Sequence, residues 1–192
     1  MQEKPAKKSN DQRSREMRER LMASARALFV EKGFAETGTP EIVRHAEVTR
    51  GALYHHFADK TDLFRAVAVA EADAVRADIE EMSKDMDRAE DAVRAGTSAF
   101  FRAMAREGRA RILLIDGPAA LGVREMDDIH ASRARASLAE GLRALLPGAS
   151  DLRIETLAIT LSAAFDRAAL AISEGEPAQA YEDALMELIG GL

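Results

Sequence analysis

The sequence predicts an all-α fold. Its 192 residues are 47% hydrophobic and 31% charged, a mixture that supports a sizeable core. Alanine, leucine, arginine and glutamate dominate, and all four are good helix formers. No stretch of four or more residues alternates apolar and polar side chains with the β-branched enrichment of a strand. The five prolines and most of the glycines instead separate segments of helical period.

Composition excludes several classes of protein. The chain contains no cysteine, which excludes disulfide scaffolds, thiolate zinc sites and thiol catalysis and is typical of a reducing compartment. The basic N-terminal stretch 1–20 is not followed by an apolar segment, so we expect no secretory signal. No run approaches the roughly 18 apolar residues of a membrane span. We therefore expect a cytoplasmic protein without a membrane partner.

The charge is distributed unevenly along the chain. The net charge is −6, yet residues 1–65 carry 13 Lys and Arg against 10 Asp and Glu, a balance of +3. Three of the four histidines also lie in this first third. A mildly basic section in an acidic protein suits a polyanion bound at one end only, and an ordinary fluctuation of surface charge explains it equally well.

The first predicted helix covers about residues 13–32. It carries one apolar stripe, and Gly33 follows it as a C-cap. The stripe comprises Leu21, Ala25, Leu28 and Phe29.

Two short helices joined by a tight turn come next. Thr39 precedes Pro40, the pattern of an N-cap followed by proline at the first helical position, and this helix ends near Ala46. After the turn, Thr49 can cap a second short helix over 50–56.

Longer helices follow. Asp59 or Thr61 caps a helix that runs from about Lys60 into the low eighties, and the rest of the chain predicts helices at about 87–107, 109–116, 119–146, 153–174 and 178–189. Four apolar residues before Asp116-Gly117-Pro118 predict a short buried helix ended by a sharp corner, either a hinge or a plain turn. About nine helices thus form two domains, 15–75 and 76–192, with the two short helices and their turn at about 38–57.

The two short helices are too short to be stable alone and require tertiary packing. Five of the nine aromatic residues fall within 36 positions, and with Ile42 and Leu53 they can hold the second short helix at a set angle. Its exposed face then presents cationic, hydroxyl, small and imidazole groups, which suit phosphates and base edges. These are Arg50, Gly51, Ala52, Tyr54 and His55, with Thr49 and Lys60 placed for phosphates.

The stretch from Ala27 to Phe64 resembles the N-terminal domain of TetR-family transcriptional regulators. The matched features are Phe29, Gly33-Phe34, Ile42, Ala46, Val48-Thr49, Gly51-Ala52-Leu53-Tyr54, His56-Phe57, Lys60 and Leu63. Glu47 departs from the family's usual turn glycine. The resemblance implies DNA contacts at Thr39, Thr49, Arg50, Gly51, Tyr54, His55 and Lys60. It also implies a homodimer with a four-helix interface and a ligand cavity in the C-terminal bundle.

The last two helices carry the predicted dimer interface. Apolar residues cover nearly every face between Ile154 and Ile172, which indicates burial on several sides, either against a second subunit or as a core helix of a monomer. The predicted interface residues are Leu161, Phe165, Ala168, Ile172, Tyr181, Leu185 and Leu188.

Flexible and aromatic side chains in the bundle are candidates for a ligand pocket, although ordinary core packing is the more common role. They are Met82, Met86, Phe100, Phe101, Met104 and Met126. Asp127, Asp128 and His130 form an acid–imidazole cluster that is more often a solvated helix face than a catalytic or metal site. Glu41 and His45 are spaced as a metal pair but more often form a solvated pair. We predict no catalytic residue, metal or cofactor.

Together these features favour a homodimeric repressor that binds operator DNA and is released by a small-molecule effector. Effector binding would tilt the helix that begins at Lys60 and change the separation of the two recognition helices. Two other classes remain open. A small all-α enzyme would use His130 with Asp127 or Asp128, and a protein-interaction module would use the bundle alone.

Overall fold

The computed structural model describes residues 9–192, and every regular element in that range is helical. The predicted all-α class is confirmed. Contacts divide the chain into two compact units, one ending at Val67 and the other comprising Ala68–Leu192, so that the boundary falls within a helix.

The first unit contains α1 (Asn10–Glu36), α2 (Thr39–His45), α3 (Arg50–His56) and the start of α4 (Lys60–Ser83). Its core is built largely from the predicted residues, because Leu21, Ile42 and Leu53 are fully buried. The rings of Phe29, Phe34 and Phe64 pack with centroids 4.9–5.9 Å apart. This cluster gives two seven-residue helices the tertiary support that they lack alone.

Gly33 interrupts α1 where the sequence predicts its end. The residue has φ 86° and ψ 169°, a conformation that side chains disfavour, and the chain makes one more turn to Glu36. The Thr37 hydroxyl then donates to the Gly33 carbonyl oxygen at 2.7 Å. This hydrogen bond stabilises the break in the helix, and it lies inside the unit because Thr37 is buried.

The helix-turn-helix differs from prediction at one cap. Thr39 is the first residue of α2, and Gly38 occupies the N-cap without a side-chain hydrogen bond. In the turn, Glu47 has φ 53°, so it adopts the left-handed conformation that glycine would adopt more easily. The geometry of the turn is thus kept without its usual glycine. The N-cap of α4 is Asp59, whose Oδ1 accepts from the Asp62 backbone N–H at 2.8 Å.

The second unit contains the remaining helices. They are α5 (Ala89–Met104), α6 (Arg109–Arg111), a π-helical turn (Ile112–Asp116), α7 (Gly117–Leu121), α8 (Val123–Ala131), α9 (Ala134–Leu145), α10 (Asp151–Ser173) and α11 (Ala178–Gly190). The contacts pair α9 with both α5 and α10, and α11 with both α5 and α10. These four helices form the body in which the cavity described below is found.

The corner predicted at Gly117-Pro118 is absent. Pro118 has no N–H to donate, and the chain responds by forming a π-helical turn in which the Gly117 N–H donates to the Ile112 oxygen. A Cβ at Gly117 would lie 2.9 Å from that oxygen and from Met126 Sδ, so only glycine fits. The helical path continues to Leu121 and breaks at Gly122, which has φ 89°.

The single helix predicted over 119–146 is divided a second time. Arg133 adopts φ −132° and ψ −112°, and α8 ends just before it. The Ser132 hydroxyl and the Arg133 guanidinium both donate to the Ile129 carbonyl oxygen, at 3.3 and 3.1 Å. These bonds satisfy a carbonyl that the end of α8 would otherwise leave free.

Helix α10 is long and apolar enough, by length and composition, to cross a membrane. Core helices of globular proteins commonly meet the same criterion. Here Ile154, Ala158 and Leu161 are buried within the unit. Asp166, in the C-terminal half of the helix, is half-buried.

Candidate DNA-binding surface and bundle cavity

Helix α3 is short but firmly held at both ends. The Thr49 Oγ1 accepts from the Ala52 backbone N–H at 3.1 Å, which confirms the predicted N-cap. Leu53 and Phe57 are buried on the inner side. The orientation of the outer face is therefore set by packing as well as by hydrogen bonding.

Two predicted contact residues on the outer face of α3 and one at the start of α2 lie close together. The Arg50 guanidinium lies over the Tyr54 ring, 5.4 Å from its centroid. Hydrogen bonding to Arg50, and then to Thr39, lowers the pKa of the Tyr54 hydroxyl. Tyr54 remains 42% exposed, so its hydroxyl and the guanidinium are both available to an incoming ligand.

Small residues leave room beside these long ones. Gly51 is exposed, and a Cβ placed there would find no atom nearer than Thr49 Oγ1 at 3.9 Å. The fold itself does not require glycine at this position. Ala52 is half-buried. A smooth patch of this kind allows a backbone or base edge to approach closely.

The adjacent histidines take different positions. His55 is exposed, while His56 is half-buried and its ring lies edge-on to that of His55 at 5.1 Å. Burial lowers the pKa of His56, and the nearby charges of His55 and Arg18 act in the same direction. His55 is therefore the imidazole on the outer face, in keeping with its predicted role.

Lys60 has a structural partner that the sequence did not indicate. Its Nζ donates to the Phe34 carbonyl oxygen at 2.8 Å and lies 4.1 Å from the centre of the Phe34 ring. The ammonium thus joins the start of α4 to the end of α1. Lys60 therefore has a structural contact in addition to the phosphate contact predicted for it.

We expect Lys60→Met to lower the free energy of unfolding by about 1–2 kcal/mol, because it removes a charge-assisted hydrogen bond from a partly buried carbonyl. Urea denaturation followed by circular dichroism measures the change. Lys84→Met is the matched control, since Lys84 pairs with Glu81 on an exposed surface. Equal stabilities of the two variants would contradict the structural role.

A cavity of about 270 Å³ lies within the second unit, between the last turns of α4 and helices α5, α9 and α10. Its walls are mostly apolar, with a few hydroxyl and charged groups. The apolar wall includes Ile79, Val93, Phe100, Leu138 and Phe165, and the polar groups include Glu80, Thr97, Arg135, Ser137, Glu140 and Ser162.

Of the six predicted pocket residues, Phe100 alone lines this cavity. Phe101 and Met126 are packed in the core, and Met104 lines only a smaller neighbouring cavity of about 30 Å³. Met82 and Met86 are 41% and 43% exposed, because α4 ends at Ser83 and the chain leaves the bundle there. The predicted pocket is therefore wrong for most of its members.

The sequence analysis missed Asp166, a half-buried acid near the cavities. Asp166 lies in the smaller cavity, with its Oδ2 3.9 Å from His130 Nδ1. Burial raises the pKa of Asp166 to about 6, while the positive charge of Arg135 opposes the rise. Burial also lowers the pKa of His130. A carboxylate within the highly apolar helix α10 was the available signal, since acids in apolar surroundings are rare without a partner.

The predicted acid–imidazole cluster does not assemble as expected. Asp127 Oδ1 accepts from Arg135 Nη2 at 2.7 Å, Asp128 is exposed, and the acid nearest His130 is Asp166. Glu41 pairs with Lys32 at 2.6 Å rather than with His45. Among residues 9–192, no group of three or more potential side-chain ligands is arranged to hold a metal ion.

The predicted interface residues lie mostly inside their own unit. Leu161, Phe165, Ala168 and Leu185 are buried, and the Phe165 ring packs against Phe100 and Phe101 at 5.4 and 5.6 Å. Ile172 and Tyr181 are half-buried, and only Leu188 is clearly exposed. The prediction is thus corrected for the four buried residues.

A different face of the last two helices is exposed. On α10 the exposed residues Leu152, Thr156, Ile159 and Ala163 recur every three or four positions. On α11, Ala180, Ala184 and Leu188 form a second exposed row of small and apolar side chains.

Two segments of the chain match models of known families. Residues 21–67 match the model described as bacterial regulatory proteins of the tetR family, and residues 90–192 match the tetracyclin repressor-like C-terminal domain. The second match alone covers more than half of the chain.

Individual relatives agree in part. The HTH-type transcriptional repressor BepR of Brucella suis is 42% identical over 52 residues, 27% of this chain and 25% of the relative. The match thus spans about a quarter of the length of such curated relatives.

Solved structures extend the likeness to the whole fold. A TetR-family transcriptional regulator of Pectobacterium atrosepticum is 26% identical, with a TM-score of 0.69 over 95% of this chain and 94% of that one. The regulator LfrR of Mycobacterium smegmatis, in complex with proflavine, has the same fold, with 18% identity and a TM-score of 0.64 over 92% of this chain and 96% of that one. Given the match over its C-terminal half, the chain belongs to the TetR family of bacterial regulatory proteins.

Proposed function

We propose that this protein is a homodimeric transcriptional repressor that binds operator DNA through α3 and is released by a small-molecule effector. The observation that carries the proposal is the grouping of Arg50 and Tyr54 on the exposed face of α3, a helix fixed from behind, with Thr39 of α2 beside the Tyr54 hydroxyl. Guanidinium and hydroxyl groups on such a face suit guanine edges and phosphates. Membership of a family of transcriptional regulators supports the same function.

Within this proposal the residues of α3 have distinct roles. Arg50 reads a base, because a guanidinium can donate to guanine O6 and N7 together. Thr49, Tyr54, His55 and Thr39 contact the backbone or adjacent bases, while Gly51 and Ala52 keep the surface smooth. Lys60 has two further N–H groups beside the one given to Phe34, and one of these can reach a phosphate.

We expect Arg50→Ala to weaken operator binding by about 1–3 kcal/mol and to relax the preference at one base pair in each half-site. A gel shift with the DNA that flanks the protein's own gene, compared with random DNA of equal length, measures both effects. Arg102→Ala removes the same charge from an exposed position on α5 and serves as the control. Equal losses on operator and random DNA would assign Arg50 to the backbone instead.

Gly51→Val tests whether the exposed face of α3 binds DNA, without removing a charge. Its Cβ has 3.9 Å of clearance within the chain, so the variant should fold, whereas a branched side chain would hold the DNA away. If the complex of protein and operator forms unchanged, this face is not the DNA-binding surface.

The cavity of the second unit is the proposed effector site. Its walls are apolar with a few polar groups, as ligand pockets usually are. Ile79, Glu80 and Ser83 at the end of α4 belong to the wall, and α4 is a single helix that begins at Lys60. A ligand that displaces these turns would move the helix that leads into the DNA-binding unit. The bound proflavine of LfrR supports a small-molecule role for this fold.

We expect Gly96→Leu to abolish the response to effector while operator binding is kept. Gly96 lines the cavity, and a Cβ there meets Ile79 Cγ2 at an ordinary 3.5 Å, so the longer side chain can occupy the empty space. A reporter gene behind the operator, screened with the wild-type protein for inducing compounds, provides the measurement. Gly96→Ala adds one methyl group only and is the control. Induction of the leucine variant by the same compounds would exclude this cavity.

The proposed dimer interface is the exposed face of α10 and α11. It carries Leu152, Ile159 and Leu188, which are 79%, 49% and 58% exposed within one chain. Small residues beside them, at Ala163, Ala180 and Ala184, allow helices to approach closely. A second copy of the chain is the proposed occupant, since the family resemblance implies that the last two helices of each subunit form a four-helix interface.

A further inference from the structure

Arg18 is an exposed cation on α1 that lies beside the C-terminal end of α3. The first residue of α1 to be buried in the core is Leu21, so the preceding turns of the helix, over 10–20, contain no buried residue. The Arg18 guanidinium lies 5.0 Å from the centre of the Phe57 ring, and Phe57 is the C-cap of α3. The cation is therefore held where α1 passes the end of α3.

The Arg18 guanidinium is held in place without a carboxylate. Its Nη1 lies 3.1 Å from Met22 Sδ, which is a weak acceptor, and its face covers the Phe57 ring. Within the described residues 9–192 it makes no ion pair and donates to no carbonyl oxygen at the end of α3. Most of its N–H groups are therefore available to an acceptor outside the chain.

The acids in this region do not neutralise Arg18. Asp59 and Asp62, which follow α3, each accept a backbone N–H, at 2.8 and 3.0 Å. On α1, Asp11 lies on the same side as Arg18 but about two turns, or roughly 10 Å, away. Glu19 projects from the helix about 100° away from Arg18. The positive charge thus stays at the surface.

Imidazole groups connect Arg18 with the outer face of α3. His55 lies on that face, and its ring is 5.1 Å from the ring of His56. Burial lowers the pKa of His56, and the charges of His55 and then of Arg18 lower it further, so the three groups are close neighbours. Positive groups placed together repel one another, and a bound anion relieves that repulsion. This edge of α3 therefore favours an anionic partner.

DNA bound by α3 would bring such an anion to Arg18. An α-helix with its side chains is about 10–12 Å wide, and the major groove of B-DNA is about 12 Å wide. A helix in the groove thus has a phosphate chain close on either side. A cation beside the end of α3, rather than on its outer face, lies towards one of these chains.

We infer that Arg18 of α1 binds a backbone phosphate at the edge of the half-site that α3 reads. The inference rests on the proposed function, in that α3 is taken to lie in the major groove. It adds a DNA contact from outside the helix-turn-helix. Hydrogen bonds from a guanidinium to a phosphate are charge-assisted, and they position the protein on the duplex without specifying a base.

The salt dependence of DNA binding tests this contact. Arg18→Met keeps an apolar stem against Phe57 and removes the charge. We expect the slope of log K against log salt concentration to become shallower by about 0.9 for each DNA-binding unit bound. We expect this change on the DNA that flanks the protein's own gene and on a random duplex of equal length, because a phosphate contact is independent of sequence. Fluorescence anisotropy at several salt concentrations gives the slopes.

Two further variants separate charge from packing. Arg18→Lys keeps the positive charge and should restore most of the salt slope. Arg20→Met removes the same charge from an exposed position about 200° around α1, and its slope should stay close to that of the wild type. Urea denaturation of each variant reports on folding. A purely structural Arg18 would lower the stability of Arg18→Met and leave the salt slope unchanged.

Cross-linking locates the contact while Arg18 is kept. The chain has no cysteine, so Arg15→Cys provides a single attachment point for a short photoactivatable cross-linker. Arg15 is exposed and lies about one turn before Arg18 on a neighbouring part of the same side of α1. We expect this variant to cross-link to DNA at the edge of each half-site, and Arg20→Cys, on the other side of the helix, to cross-link much less.

Several results would overturn the assignment. These are an unchanged salt slope in Arg18→Met, equal slopes in Arg18→Met and Arg20→Met, no restoration in Arg18→Lys, or no cross-link from Arg15→Cys. The two DNAs distinguish this inference from the proposed function. Preferential binding of the flanking DNA with an unchanged slope in Arg18→Met would leave the repressor standing and remove the phosphate contact. Equal binding of both DNAs with a slope that depends on Arg18 would do the reverse.

Discussion

Replacing Arg109 by methionine is expected to lower the free energy of unfolding of the second unit by about 3–5 kcal/mol. Arg109 Nε lies 2.6 Å from Glu71 Oε2, and the two side chains are 4% and 9% exposed. The Arg109 Nη1 also donates to the Ala103 carbonyl oxygen at 3.0 Å. The substitution leaves a buried carboxylate without its main cation and a buried carbonyl without its donor, and both losses are unfavourable.

The size of the effect depends on burial, and two comparisons test this. Arg76→Met breaks the exposed pair with Glu80, which also has a 2.6 Å contact, and should change stability by less than about 1 kcal/mol. Replacing both partners, as in Glu71→Leu with Arg109→Met, should recover much of the loss because no buried charge remains. Urea denaturation measures all three variants. If Arg109→Met is no worse than Arg76→Met, the pair is not buried in solution.

The helix-turn-helix could be predicted because its signals are local in sequence. Thr49 lies only three residues before Ala52, whose backbone N–H it caps. Ile42 and Leu53 are fully buried and stand at helical spacing from their neighbours in the sequence. Once the buried residues are known, the remaining residues of α3 must form its exposed face. Lys60 differs, because its partner Phe34 is 26 residues away and no local pattern indicates that bond.

The cavity could not be predicted in the same way. A helical period shows that a side chain faces inward, but not whether the space it faces is filled. Phe100 and Phe101 are neighbours, and both are buried, yet only Phe100 borders the empty volume. Met126 is buried and packs against the bare backbone of Gly117 instead. An empty volume depends on how several helices meet, and that is a tertiary property.

Helix α10 shows a related ambiguity. Because it is apolar on nearly every side, its sequence does not tell the face packed in the subunit from the face left outside. Phe165 was assigned to the interface because it is aromatic, whereas the rings of Phe100 and Phe101 pack against it in the core. Asp166 beside it was overlooked because the surrounding residues are so apolar. Its raised pKa of about 6 reflects that same burial.

The remaining prediction concerns the dimer. We expect Ile159→Glu to convert the protein to a monomer and to reduce operator affinity by roughly 10²–10⁴-fold, because one DNA-binding unit alone reads only a half-site. Ile159 is 49% exposed within the chain, so a carboxylate there is solvated in the monomer. In the proposed interface it would be buried without a partner, which opposes association by several kcal/mol.

Two further substitutions separate association from folding. Phe165→Glu introduces the same charge at a position that is only 6% exposed and lies among aromatic rings. This variant should unfold the second unit rather than release a folded monomer. Val123→Glu makes the same kind of change at a position on α8 that is 75% exposed and outside the proposed interface, and should leave assembly and DNA binding intact. Sedimentation velocity, circular dichroism and a gel shift on the three variants measure assembly, folding and function in turn. If Ile159→Glu stays a dimer and still binds operator, the exposed face of α10 and α11 is not where the subunits meet.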